Sequence, residues 1–87
     1  MYYLVRKHDL GVVFWRKGDK KWLLNSDSAT AYKTSGIANS VMHRMANHPR
    51  NRLLGHTFAT ISDSYLENIR DQTPDIWNQR LAFLLFA

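Results

Sequence analysis

Apolar positions follow two different periods along the chain. In the first 24 residues they come as short runs, YYLV, VVFW and WLL, broken by polar residues or glycine. Runs of that length, rich in aromatic and β-branched residues, predict strands. We read strands at 2–6, 12–15 and 22–24, with a turn at His8-Asp9-Leu10-Gly11. Gly18-Asp19 suits a two-residue hairpin loop, because glycine accepts positive φ at no steric cost. The N-terminal third is therefore expected to be a small antiparallel sheet opened by a hairpin.

Beyond residue 34 the period lengthens. Asn25, Ser26, Asp27 and Ser28 read as a loop, and Thr34 or Ser35 as the cap of a helix over about 36–46. Ile37, Val41 and Met45 recur every fourth residue, with Ala38 and Met42 beside them, so that helix has one apolar face. Ser40, His43 and Asn47 fall opposite, and Arg44 falls at the stripe's edge. Pro49 stops the helix, leaving 47–56, NHPRNRLLGH, as a basic loop. Thr57–Ile61 alternates as a strand, and Ser62 or Asp63 caps a helix over 65–71. Thr73 as N-cap, Pro74 at the first helical position and Asp75 predict a C-terminal helix 74–86. That helix is apolar nearly all round, so the core encloses it or a second subunit covers it. The predicted fold is a single compact α+β domain over 1–87, with three or four antiparallel strands and two or three packed helices.

Charge changes this picture more than composition does. Residues 1–52 carry ten Lys/Arg against three Asp, a net +7, whereas residues 53–87 carry two Arg against four acids, a net −2. A localised basic surface attracts phosphates and acidic proteins. There is no cysteine, which excludes disulfides, thiolate chemistry and cysteine-ligated zinc and fits a reducing cytoplasm. No apolar run approaches the ~20 residues of a membrane span, and MYYLVRKHD does not have the form of a secretory signal. We therefore expect a cytoplasmic protein with no membrane partner.

The candidate chemistry lies in two basic elements. WRKGDKKW, residues 15–22, sets Lys17 opposite Lys20, Arg16 opposite Lys21 and Trp15 opposite Trp22 if Gly18-Asp19 form the loop. Alternation then places Trp15, Trp22, Lys17 and Lys20 on one face and Arg16 and Lys21 on the other. Like charges opposite one another destabilise a hairpin by up to about 1 kcal/mol, so their retention points to a ligand. Lysine and arginine displace condensed counterions from nucleic-acid phosphates, and exposed tryptophans stack unpaired bases. The two tryptophans serve equally as a cross-strand core pair. The second element is Arg44, His48, Arg50 and Arg52, with Asn47 and Asn51 interleaved; arginine's planar fork matches phosphate. Whether the two elements meet is not given by the sequence. His43, His48 and His56 lack the spacing and the nearby acids of a metal site, so no metal, cofactor or catalytic group is expected. Asp63, Glu67, Asp71 and Asp75 recur at fourfold spacing, as a solvated acidic face or a contact for a second copy's basic half. No phosphate-loop, nucleophile-elbow or dinucleotide motif occurs.

The order of short strand, Trp-based hairpin and DSATAYKTSGIANSVMHRM spans the first 46 residues. It resembles the small TifA-type accessory proteins of T-even-type bacteriophages, which neutralise a host RNase toxin by binding toxin and RNA. That resemblance implies RNA binding through Arg16, Lys17, Lys20, Lys21, Arg50 and Arg52, and a host nuclease toxin as protein partner. Together these features predict a non-enzymatic, RNA-preferring binding protein of low sequence specificity. The alternatives are a protein-only inhibitor of a host enzyme, of anti-CRISPR kind, and a small RelE-like RNase acting through His43 and His48. A homodimer through the apolar C-terminal helix is compatible with each.

Overall fold

The apolar runs of the N-terminal third pair edge to edge in the structure, a computed structural model that describes residues 1–86. Strands β1 (Tyr2–His8), β2 (Gly11–Arg16), β3 (Lys21–Leu23) and β4 (Phe58–Ser62) form one antiparallel sheet in the order β3-β2-β1-β4. Four helices accompany it: α1 (Ser35–Asn47), α2 (Pro49–Leu54), α3 (Asp63–Gln72) and α4 (Trp77–Phe86).

Both faces of the sheet are covered, which is why consecutive residues such as Leu4 and Val5 are both fully buried. On one face Val5, Val12, Phe14 and Ile61 meet Leu66 of α3 and Leu81 and Ala82 of α4. On the other, Leu4 packs with Tyr32 and Ala38, flanked by Trp15, Trp22, Val41, Met42 and Met45. The result is α1, sheet, then α3 with α4. Helix α1 begins where the sequence predicts, with the Thr34 hydroxyl accepting from the Ile37 N–H at 3.2 Å. Ser62 caps α3 in the same way through Tyr65 N–H at 3.1 Å.

Four expectations need correction. Helix α4 starts at Trp77, not 74, because Thr73 closes α3 instead: both its N–H and its hydroxyl donate to the Ile69 carbonyl at 2.9 Å. Pro74-Asp75 then span a turn closed by Ile76 N–H on the Thr73 carbonyl at 3.1 Å. Segment 47–56 is not simply a loop but contains α2, so the helices number four rather than two or three. Pro49, which ends α1, also starts α2, where its missing N–H costs nothing. In the hairpin, the register Trp15↔Trp22 and Arg16↔Lys21 is as expected. The residue with positive φ, however, is Lys20 at 54° and not Gly18; the turn runs over Lys17–Lys20, with Lys20 N–H on the Lys17 carbonyl at 3.3 Å.

One contact had no sequence signal. Strand β3 is three residues long and pairs only with Phe14–Arg16, leaving the outer edge of β2 at Val12 open. Asn78 of α4 fills it: its side-chain carbonyl accepts from Val12 N–H at 2.7 Å and its amide donates to Val12 O at 3.0 Å. Gly11 makes room, since a Cβ there would collide with Asn78 Oδ1.

Candidate nucleic-acid interface

The α1-side face of the sheet does not close completely. Between the hairpin and the α1–α2 corner lies an open groove of about 860 Å³. The hairpin supplies Trp15, Lys20 and Trp22, and β1 supplies Arg6. Helix α1 adds Val41, Arg44 and Met45, and α2 with its flanks adds His48, Arg50, Asn51, Leu54 and His56. Four arginine or lysine side chains and two histidines thus line one concavity, and none of its lining residues is a carboxylate.

The two basic elements of the sequence therefore meet, but not with all their members. Trp15, Lys20, Trp22, Arg44 and Arg50 line the groove. Arg16, Lys17, Lys21 and Arg52 are exposed and lie outside it. For Arg16 and Lys21 the reason is the pleat: they neighbour Trp15 and Trp22 in sequence and so belong to the opposite face. Arg16 also sits 3.5 Å from Asp19, which partly satisfies its charge. Lys17 was expected on the tryptophan face; it belongs to the turn, where strand alternation no longer holds, and its N–H donates to the Thr30 hydroxyl at 2.8 Å.

The tryptophans are half-buried and serve as both core and wall. Their rings are 5.0 Å apart at 50°, and Trp22 continues to Phe58 at 5.9 Å. The Arg6 guanidinium lies over the Trp22 ring, 4.7 Å from its centre. A base stacking on that side of Trp22 has to displace Arg6, so the groove presents cations more readily than bare aromatic faces.

Among the polar lining residues, Arg6 and His56 are the two that sequence reasoning did not select. Arg6 was passed over as part of a strand, although a charge inside YYLVR was itself a signal. Its Nε is buried with no hydrogen-bond partner, and burial lowers its pKa from the usual arginine value. His56 is held below the ordinary histidine range by desolvation and, secondarily, by the Arg6 charge. The Tyr32 hydroxyl is buried beside the Trp15 side chain, its contact there falling short of full hydrogen-bond geometry. Burial raises its pKa against smaller opposing effects of Trp15 and Arg44.

His43 is exposed on α1 outside the groove, so it does not form a pair with His48 there. His48 Nδ1 accepts from Arg50 N–H at 3.2 Å, an α2 capping role. Among the described residues there is no cluster of three or more His, Asp or Glu able to hold a metal, and no helix long and apolar enough to cross a membrane. The predicted acidic face is exposed on α3 at Glu67 and Asp71, across the sheet from the groove, with Asp75 in the following turn. No protein-family model, curated protein or solved structure matches the chain.

Proposed function

We propose that this chain is a non-enzymatic, RNA-preferring nucleic-acid-binding protein, of the phage type that counters a host RNase toxin, working in the bacterial cytoplasm. The observation that carries the nucleic-acid reading is the groove with four permanent cations and no carboxylate in its lining. Such a surface repels itself when empty and gains by releasing counterions from a polyanion. Arg44 and Arg50 supply forked donors, and Lys20 a mobile point charge at the rim. Trp15 is the aromatic wall best placed to meet a base, since Trp22 already carries Arg6. The role against a toxin rests on the resemblance of the first 46 residues alone.

The test is fluorescence anisotropy with labelled single-stranded RNA and duplex DNA across a salt series. The reading expects salt-steep binding, stronger for RNA, that is lost when Lys20, Arg44 and Arg50 are changed together to Glu. Absence of RNA affinity at low salt ends it.

A second reading has its own support on the opposite side of the molecule. Leu10 (77% exposed), Leu24, Ile76 and Phe83 border adjoining hollows beside α4. Exposed apolar surface of this kind favours a protein contact, either a host enzyme or a second copy through the C-terminal helix. Sedimentation separates the two: self-association abolished by Phe83→Glu favours the homodimer.

A further inference from the structure

The least comfortable charge in the molecule is Arg6. It stands on the central part of the sheet, between Val13 of β2 and Phe58 of β4 in register. Its guanidinium is half-buried against Trp22, and its Nε is sealed from solvent with no acceptor. A cation drawn out of water ordinarily keeps a counter-charge. Arg6 has none: the ion pairs among the described residues are Met1–Asp63, His8–Asp9 and Arg16–Asp19, all outside the groove. The charged side chains that share its groove are Arg44, Arg50 and Lys20, which add repulsion. A fold keeps such a group where a ligand supplies the missing charge.

Resting on the nucleic-acid reading above, we propose that the Arg6 end of the groove is an oxyanion site that takes one phosphate group of a single-stranded nucleic acid. Arginine's planar fork meets two oxygens of a tetrahedral phosphate, and the Trp22 ring, 4.7 Å from the guanidinium carbon, supports the fork from one side. Arg44 and Arg50 from the helical wall and Lys20 from the hairpin line the same groove and add to its positive field. A duplex presents its phosphates on a stiff convex surface, whereas a single strand bends a phosphate into a concavity at lower cost. A single strand enters a groove of about 860 Å³, the size of a ligand site for one or two nucleotides. The phosphate is either a strand-end monoester or an internal diester.

Arg6 sits on an indole, so the site carries its own reporter. The experiment titrates the protein with inorganic phosphate, against chloride at matched ionic strength, and reads tryptophan emission. It then measures short oligoribonucleotides with and without a 5′-phosphate by anisotropy. The expected result is a saturable phosphate response that disappears in Arg6→Gln. In Arg6→Lys, which keeps the charge but not the fork, affinity falls about tenfold, the cost of one lost charge-assisted bond. Arg80→Gln, exposed on α4 and outside the groove, leaves binding unchanged. A gain from the 5′-phosphate that needs Arg6 assigns the monoester; Arg6-dependent binding without that gain assigns the diester. RNA binding that is intact in both folded Arg6 variants overturns the site and spares the RNA reading. Saturable, Arg6-dependent phosphate binding with no affinity for RNA keeps the site and overturns that reading instead.

Discussion

Single atoms decide how this fold closes. Asn78 replaces a missing strand at Val12, and Gly11 is the gap it reaches through. Asn78→Ala leaves two part-buried backbone groups unpaired and is expected to cost roughly 2–3 kcal/mol. Gly11→Ala costs a similar amount because it evicts the same amide. In the Asn78→Ala background the added Cβ has nothing to strike, so Gly11→Ala becomes nearly neutral there. Urea denaturation of the two single variants and the double variant checks this non-additivity; simple additivity refutes it. Tyr32 gives the opposite sign. Its buried hydroxyl meets only the Trp15 side chain, short of full hydrogen-bond geometry, so Tyr32→Phe is expected to hold or raise Tm. His56 couples stability to pH. Its pKa is lowered in the folded state, so its contribution is present above the ordinary histidine value of ~6.5 and is lost as pH falls through the folded pKa. Protonation brings positive charge next to Arg6, so anion affinity rises over the same fall. Thermal melts and RNA binding from pH 8 to pH 5, compared with His56→Gln, should show both trends weakened in the variant.

At the scale of elements, the hairpin holds a conflict between stability and charge. Lys20 takes φ of 54°, a conformation that costs a residue with a side chain about 1–2 kcal/mol relative to glycine. It is also one of the four cations of the groove. Lys20→Gly is therefore expected to stabilise the fold by about 1 kcal/mol and to weaken RNA binding, a pairing of signs that denaturation and anisotropy measure on one variant. A stabilised variant with unchanged affinity removes Lys20 from the interface. The strands, the start of α1 and the register Trp15↔Trp22 were legible because local periodicity and caps determine them. What escaped the sequence was set by neighbours. Thr73 has the chemistry of an N-cap, but its hydroxyl serves the preceding helix. Pro49 reads as a stop, yet it starts a second helix because His48 is extended and caps it. Gly18 is the residue able to adopt positive φ, yet the turn places that requirement two positions later. The site was half legible for the same reason. Charge in the sequence pointed to Lys20, Arg44 and Arg50, whereas the meeting of Arg6 and His56 with them depends on β1 lying next to β4.

Across the whole molecule the sheet separates the charges. Cations gather in the groove on the α1 side, and Glu67 and Asp71 face solvent from α3 on the other. The net charge of +5 then understates the field that an approaching strand meets. Two variants of nearly equal charge separate field from site. Changing Lys20, Arg44 and Arg50 to Gln leaves a net +2; changing Arg16, Lys17, Lys21 and Arg52 to Gln leaves +1. If general basicity governs binding, the second variant, with more charge removed, binds RNA more weakly. If the groove governs it, the first variant loses most of its affinity. Its plot of log K against log salt should also flatten by about 2, since each phosphate contact on a single strand contributes roughly 0.7 to the slope. The second variant should keep its slope and lose only the modest steering that distant charge supplies, a deficit that added salt erases. Anisotropy at three salt concentrations on wild type and both variants is enough to decide between them. The outcome matters beyond this groove, because the four excluded cations include three of the hairpin residues that the sequence marked most strongly.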